Sequence, residues 1–267
     1  MAKISKKTQN ERILNCIPST KTENDFSILV ATAAGVSKKA AAIPASKDLR
    51  DNTWWAIGNQ GSTGSCVGWA SADSVLRWHL VKSGLLLKTQ KLSVRFQWMA
   101  SKETDEFNSR ATTFIEGAGT SLKGALEIAK KYGTVLETVL PFGGGLTSLS
   151  EQVFYTQAAT RRINAYFNLF ASGDRLVNLR NWIANNGPVI TRLDVDSTWD
   201  NVTSNGKLTT YNPIGTRGGH AVSIVGYTPD GFIIRNSWGT TWGDKGFAYA
   251  SNAYTLAAFT EAYGVTI

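Results

Sequence analysis

The sequence predicts an α+β protein, a helical half followed by a mainly stranded half. Two patterns carry this. Between residues 44 and 145, apolar and aromatic side chains recur at helical spacing. Between 146 and 267, two short helical patterns give way to apolar runs broken by glycine-rich turns. Of the 267 residues 42% are apolar and nine are Trp, enough for a substantial core in one large or two small units and too hydrophobic for disorder.

The first helix is expected over 66–81, where Val67, Ala70, Val75, Trp78 and Val81 recur at helical spacing and Cys66 falls in the first turn. A second is expected over 93 to about 103. A third spans 121–132, with Thr120 and Ser121 as a capping signal and Gly133 as a stop. Shorter helices follow over 149–158 and 173–186, the latter ending at Asn-Asn-Gly-Pro-Val. Strands are expected over 189–195, 220–227, 232–236 and 246–250, with Pro229-Asp230-Gly231 turning one hairpin. Residues 1–43 are weakly patterned, contain Cys16 and Pro18, and form a separate N-terminal extension.

Chemistry concentrates in three strings: NQGSTGSC from Asn59 to Cys66, GGHAVSIVGY from Gly218, and IIRNSWGTTWGDKGF from Ile233. A free thiol has a pKa of about 8.5 and is mostly protonated at neutral pH, so a nucleophilic Cys66 needs help. Unpaired N–H groups and the positive dipole end of a helix N-terminus stabilise a thiolate. His220, one of two histidines, can pair with that thiolate as imidazolium and serve as general acid. The Asn236 side-chain amide can accept the second ring N–H and orient the imidazole without adding charge. Trp238 can cover that hydrogen bond, and Gln60, six residues before Cys66, can offer a side-chain N–H to an oxyanion. His79 lies well past the first turn of its helix and reads as structural or solvated.

Gln60, Cys66, His220 and Asn236, in that order and spacing, resemble the papain-like cysteine peptidases over roughly residues 44–250. The resemblance implies a two-lobed papain-like fold, its second half β-barrel-like, with the active site in the cleft between the halves. It implies endopeptidase chemistry on peptides or proteins through an acyl-enzyme, with Cys66 as nucleophile, His220 as acid and base, and an oxyanion held by Gln60 and the Cys66 N–H. It places substrate backbone along the segment EGAGTS from Glu116, through Gly117 and Gly119. Val189, Leu193 and Ala221 would line the pocket for the second residue before the scissile bond. No metal or organic cofactor is implied, and the sequence holds no cluster at metal-ligand spacing. Residues 1–43 stand where the family carries an inhibitory prosegment, although they lack its long helix. They read either as a short inhibitory or occluding extension or as a disordered or packing arm. Thr63, Val67 and Gly219 depart from the plant and lysosomal pattern and point to a bacterial-type branch. Two other outcomes stay open: transpeptidase or aminopeptidase action at the same site, and a non-catalytic peptide-binding module on the same scaffold.

The net charge is +8 and the pI near 9.5. Basic residues cluster at Lys3, Lys6 and Lys7 and at Lys38 and Lys39, but no nucleic-acid motif accompanies them, so a solvated surface and no nucleic-acid partner are expected. No signal-peptide h-region and no run long enough to cross a bilayer is seen, so no membrane partner is expected and the location reads as cytoplasmic or exported without a signal peptide. A monomer is expected. Cys16 and Cys66 are the only cysteines. With Cys66 as nucleophile no structural disulfide remains, which is compatible with a reducing compartment.

Overall fold

The computed structural model describes residues 12–38, 43–104 and 117–267. The expectations for Lys3, Lys6, Lys7, Lys39 and Glu116 fall outside these residues. The elements in chain order are α1 (Ile28–Ala33), β1 (Lys47–Asp48), α2 (Cys66–Gly68), a π-helical stretch (Trp69–Leu76), α3 (Arg77–Lys82), α4 (Val94–Thr104), α5 (Leu122–Lys131), α6 (Glu151–Ala159), β2 (Ala165–Asn168), α7 (Arg175–Asn185), β3 (Val189–Val195), β4 (Lys207–Leu208), β5 (Gly218–Thr228), β6 (Gly231–Arg235), β7 (Phe247–Ser251), α8 (Asn252–Ala258) and β8 (Phe259–Thr266).

Local signals set the helix ends. The Ser121 hydroxyl accepts the Gly124 N–H at 3.0 Å, and Gly133, at φ +87°, follows the end of α5. Leu122, Ala125, Leu126, Ile128 and Ala129 form the buried stripe between. Ser150 and Asp174 cap α6 and α7 in the same way. α2, the π-helical stretch and α3 run on without a break from Cys66 to Lys82. The periodicity predicts this helix but not its widened middle, where seven of eight residues are buried; π-helical turns occur often at functional sites.

The eight strands form one sheet in the order β2-β8-β3-β5-β6-β7-β4, with β1 pairing β5. Pairing is antiparallel except between β4 and β7. The sheet is not closed into a barrel, which corrects the barrel-like expectation: β2 and β4 end the path without pairing each other. β5 is buried from Gly219 to Tyr227, so it reads as a continuous apolar run rather than an alternating one. Besides the strands β1, β4 and β8, three elements lie outside the sequence expectations. α1 has one short turn's worth of apolar spacing, β2 is four residues long, and α8 runs directly into β8 without a glycine or proline break.

Two cores lie on either side of the sheet. The larger packs Trp182, Leu193, Trp199, Ile224 and Trp238 with the buried side of α1. The other joins Cys66, Val67, Val75, Leu80 and the stripe of α5 to Ile190, Ala221 and Tyr263 of the sheet. A buried ion pair locks helix to sheet within this region. Arg235, at the end of β6, meets Asp73 at 2.7 Å, and Arg77 stands 3.8 Å from the other Asp73 oxygen. Arg235 also donates to the Ala56 carbonyl at 2.6 Å, and Arg77 to the Trp54 carbonyl at 2.8 Å. Removing one member of such a pair leaves its partner charged and buried. Asp73→Ala is therefore expected to cost about 3–5 kcal/mol of stability, read as a lowered denaturant midpoint with an unchanged slope.

Candidate active site

Cys66 begins the long helix and is fully buried. His220 sits near the start of β5, and Asn236 follows the last residue of the neighbouring β6, so adjacent strands present imidazole and amide side by side. His220 Nε2 lies 2.8 Å from Asn236 Oδ1. The same oxygen accepts the Ser237 backbone N–H at 2.8 Å. An atom that accepts a backbone N–H is the amide oxygen, so the ring nitrogen facing it must be the donor. That fixes the proton on Nε2 and turns Nδ1, buried without a conventional hydrogen-bond partner, towards Cys66.

Aromatic rings enclose this pair. The Trp238 ring lies 4.9 Å from the His220 ring at 32°, and Trp199 meets the same imidazole edge-on at 5.8 Å. Trp242 stacks on Trp199 at 5.0 Å. Sequence reading finds Trp238 through its string but misses Trp199, which lies in a polar turn (Ser197–Asn201) with no motif. A lone Trp inside such a polar stretch is the one sequence signal there, and the structure buries it fully.

Gln60 is held by the residue after Asn236. Its backbone N–H reaches the Ser237 carbonyl at 2.8 Å, and the Ser237 hydroxyl donates to Gln60 Oε1 at 2.8 Å. Gln60 Nε2 donates to the Thr63 carbonyl at 3.0 Å. Anchoring the oxygen end points the N–H₂ end toward the loop that leads into Cys66.

The chain's own N-terminal segment occupies the cleft. Asn15 bridges Gly219 and Ile17 bridges Ser121, both in parallel sense. The Cys16 N–H donates to the Gly219 carbonyl at 2.9 Å, the Ile17 N–H to the Thr120 carbonyl at 3.1 Å, and Arg192 Nε to the Cys16 carbonyl at 3.0 Å. Asn15 Nδ2 donates to the Gly117 carbonyl, and Gly119 lies against Asn15. Gly117 and Gly119 thus face residues 15–17. Ala221 packs in one cluster with Cys16 and Cys66. Val189 and Leu193, expected in a substrate pocket, are instead fully buried in the larger core. Alternation along β3 explains the correction: neighbours on a strand point to opposite faces, and Ile190 and Arg192 turn to the cleft segment.

The two thiols interact. The neighbouring Cys16 side chain holds the Cys66 thiol well below its ordinary pKa, against the opposing effect of burial, and His220 and the Ala221 backbone lower it further. Burial foremost pushes the Cys16 thiol up. Among the described residues there is no group of acidic, Cys and His side chains able to hold a metal ion, and no helix is long and apolar enough to cross a membrane.

The family model for papain family cysteine proteases matches residues 43–263. The chain belongs to that family. A cathepsin L-like proteinase of Fasciola hepatica is 25% identical over 214 residues, 77% of this chain and 60% of the relative. Ananain of Ananas comosus is 26% identical over 216 residues, 78% of this chain and 55% of the relative. The chain thus spans little more than half the length of these curated relatives. Among solved structures, xylellain, a cysteine protease from Xylella fastidiosa, superposes with a TM-score of 0.76 at 21% identity, covering 96% of each chain. That likeness confirms the two-lobed α+β papain-like fold.

The second histidine belongs elsewhere. His79 is buried in α3 beside Trp78, and burial pushes its pKa down to about 4. The unfolded chain, with an imidazole near 6.5, takes up the proton first. Its contribution to stability is therefore complete above about pH 6.5 and falls as pH drops to about 4, by about 3 kcal/mol in all. His79→Leu should flatten that part of the curve, measured as the urea midpoint of both proteins at successive pH values.

Proposed function

We propose that the chain is a cysteine peptidase that hydrolyses peptide bonds and that residues 12–20 hold it in an occluded form. The observation that carries the reading is the convergence of Cys66, His220 and Asn236, with the imidazole under the Trp238 ring and its proton assigned to the Asn236 side.

The chemistry follows from those positions. The Cys66 thiolate attacks the carbonyl carbon of a peptide bond, and the carbonyl oxygen becomes an oxyanion. The Cys66 N–H, at the start of a helix, and the free N–H of Gln60 stabilise that charge. His220, which has taken the Cys66 thiol proton on Nδ1, gives that proton to the departing amine. It then takes a proton from water, which attacks the thioester and returns Cys66. Asn236 keeps the ring in one orientation through both steps, and the Trp rings keep water from its hydrogen bond. The lobes over 44–145 and 146–267 form the walls of the cleft, and peptides or proteins are the substrate class.

Residues 15–17 bond to Gly117, Thr120 and Gly219, along the segment proposed to take a substrate backbone, which supports the occluded reading. Residues beyond them do a different job. Ile28 and Ala31 of α1 are buried in the larger core, and Asn186 Nδ2 donates to the Val36 carbonyl at 2.8 Å. A chain cut just after Thr20 keeps these contacts, whereas removal of the whole extension would open the core.

The cut chain, with folding checked by circular dichroism, is expected to hydrolyse a fluorogenic peptide at least tenfold faster than the full chain. Equal rates would sink the occlusion, and no hydrolysis by either would sink the peptidase reading. In the cut chain, Cys66→Ala should abolish turnover, and Gln60→Ala should lower kcat by roughly 10²–10³.

A further inference from the structure

The cleft segment could close the site with any small apolar side chain above the nucleophile, yet it places a second thiol there. Cys16 is buried and belongs to the same apolar cluster as Cys66, and its neighbour Asn15 lies against Gly64, two residues before Cys66. Its backbone is fixed on both sides: the N–H on Gly219 at 2.9 Å, the carbonyl on Arg192 at 3.0 Å, and the next N–H on Thr120 at 3.1 Å. Both cysteines are free. A thiolate attacks a peroxide or a sulfur readily, and a protonated thiol held against it is placed to follow.

We propose that Cys16 and Cys66 form a reversible disulfide under hydroperoxide, a covalent latch that fixes the N-terminal segment over the nucleophile. The proposal deepens the occluded-peptidase reading and rests on it for its consequence, although the bond itself can be tested without any turnover.

The steps balance. The Cys66 thiolate attacks one oxygen of hydrogen peroxide, the O–O bond breaks, and hydroxide leaves and takes a proton from solvent. Cys66 is now a sulfenic acid. The Cys16 sulfur attacks the Cys66 sulfur, the S–O bond breaks as the S–S bond forms, and the Cys16 proton leaves with the oxygen as water. Two electrons from the sulfur pair have reduced one peroxide to two waters. A dithiol such as dithiothreitol reverses the bond through a mixed disulfide and is itself oxidised to its cyclic form.

Two features make this pair fit a switch rather than a structural bridge. The reduced state is complete without the bond, because main-chain contacts already seat the segment. The bond would also consume the one thiol that the proposed chemistry needs. Cys16 would protect Cys66 as well: a sulfenic acid with a thiol beside it goes to a reducible disulfide, whereas one without it goes on to sulfinic and sulfonic acids that dithiothreitol does not reverse.

The test uses the full chain, reduced and then treated with stoichiometric hydrogen peroxide, and intact mass and peptide mapping without reductant. The expected result is a mass lower by two hydrogens, a linked peptide pair containing Cys16 and Cys66 from one chain, and loss of both titratable thiols. Dithiothreitol should restore both. Cys16→Ser should instead gain oxygen on Cys66 that dithiothreitol does not remove. A full chain that gains oxygen without the linked pair, a link between two chains, or a Cys16→Ser protein that remains as reversible as the original would each overturn the latch. Labelling of the reduced cut chain by a peptidyl epoxide, run in parallel, reports on Cys66 as nucleophile, so that reading can fail while the disulfide forms, and the reverse.

Discussion

The buried pair between Asp73 and Arg235 is the constraint on which the geometry of the cleft depends. Asp73 lies seven residues into the helix that Cys66 opens, and Arg235 immediately precedes Asn236. The helix bearing the nucleophile and the strand leading to the orienting amide are therefore tied by one 2.7 Å contact in a dry interior. Such a contact resists sliding far more than an apolar one does, because any displacement uncovers two charges in a medium of low polarity. Arg77 and the carbonyls of Ala56 and Trp54 join this ion pair, which brings the loop before Gln60 into the same network. Both faces of the cleft and its oxyanion corner thus share one rigid frame.

Within that frame, the short stretch from Asn236 to Trp238 links three tasks. Asn236 orients the imidazole, the Ser237 hydroxyl and carbonyl hold Gln60, and Trp238 covers the ring. Consecutive residues leaving a strand point in alternating directions, so one turn of chain can reach the histidine, the glutamine and the apolar lid at once. This accounts for the density of information in the string NSWG.

The grouping of Cys66, His220 and Asn236 proposed as the site was legible in the sequence because it rests on residue types that are scarce here: two cysteines, two histidines and one Asn-Ser-Trp-Gly string. The helices with capping signals and strong stripes, such as α5, were legible for a similar reason, since local hydrogen bonds and 3.6-residue periodicity act over a single turn. What stayed hidden was non-local. The facing of β3 depends on its pairing with β5 and β8, and buried on both sides it carries no alternation from which to choose a face, so Val189 and Leu193 were read to the wrong side. Trp199 joins the site only through tertiary packing. The seating of residues 15–17 rests largely on main-chain hydrogen bonds, which any sequence can form, so nothing in the sequence placed them in the cleft.

The glycines of the cleft show how closely the catalytic part and its N-terminal segment are matched. A Cβ at Gly219 would stand 2.3 Å from the Cys16 carbonyl oxygen and 2.6 Å from the Arg192 guanidinium that holds it. A Cβ at Gly119 would stand 2.0 Å from the Asn15 carbonyl. Both carbonyl oxygens are backbone atoms of a segment held by main-chain hydrogen bonds, so neither position can accept a side chain while the segment is seated. Gly219 departs from the residue that plant members of the family often carry before the histidine, and the close approach of Cys16 gives a physical reason for it. A glycine here admits the N-terminal strand close enough for its N–H to bond the Gly219 carbonyl, and that approach sets the Cys16 thiol beside Cys66. The departure beside the histidine and the second cysteine are thus two parts of one fit, made in the walls of the cleft and in the chain that fills it.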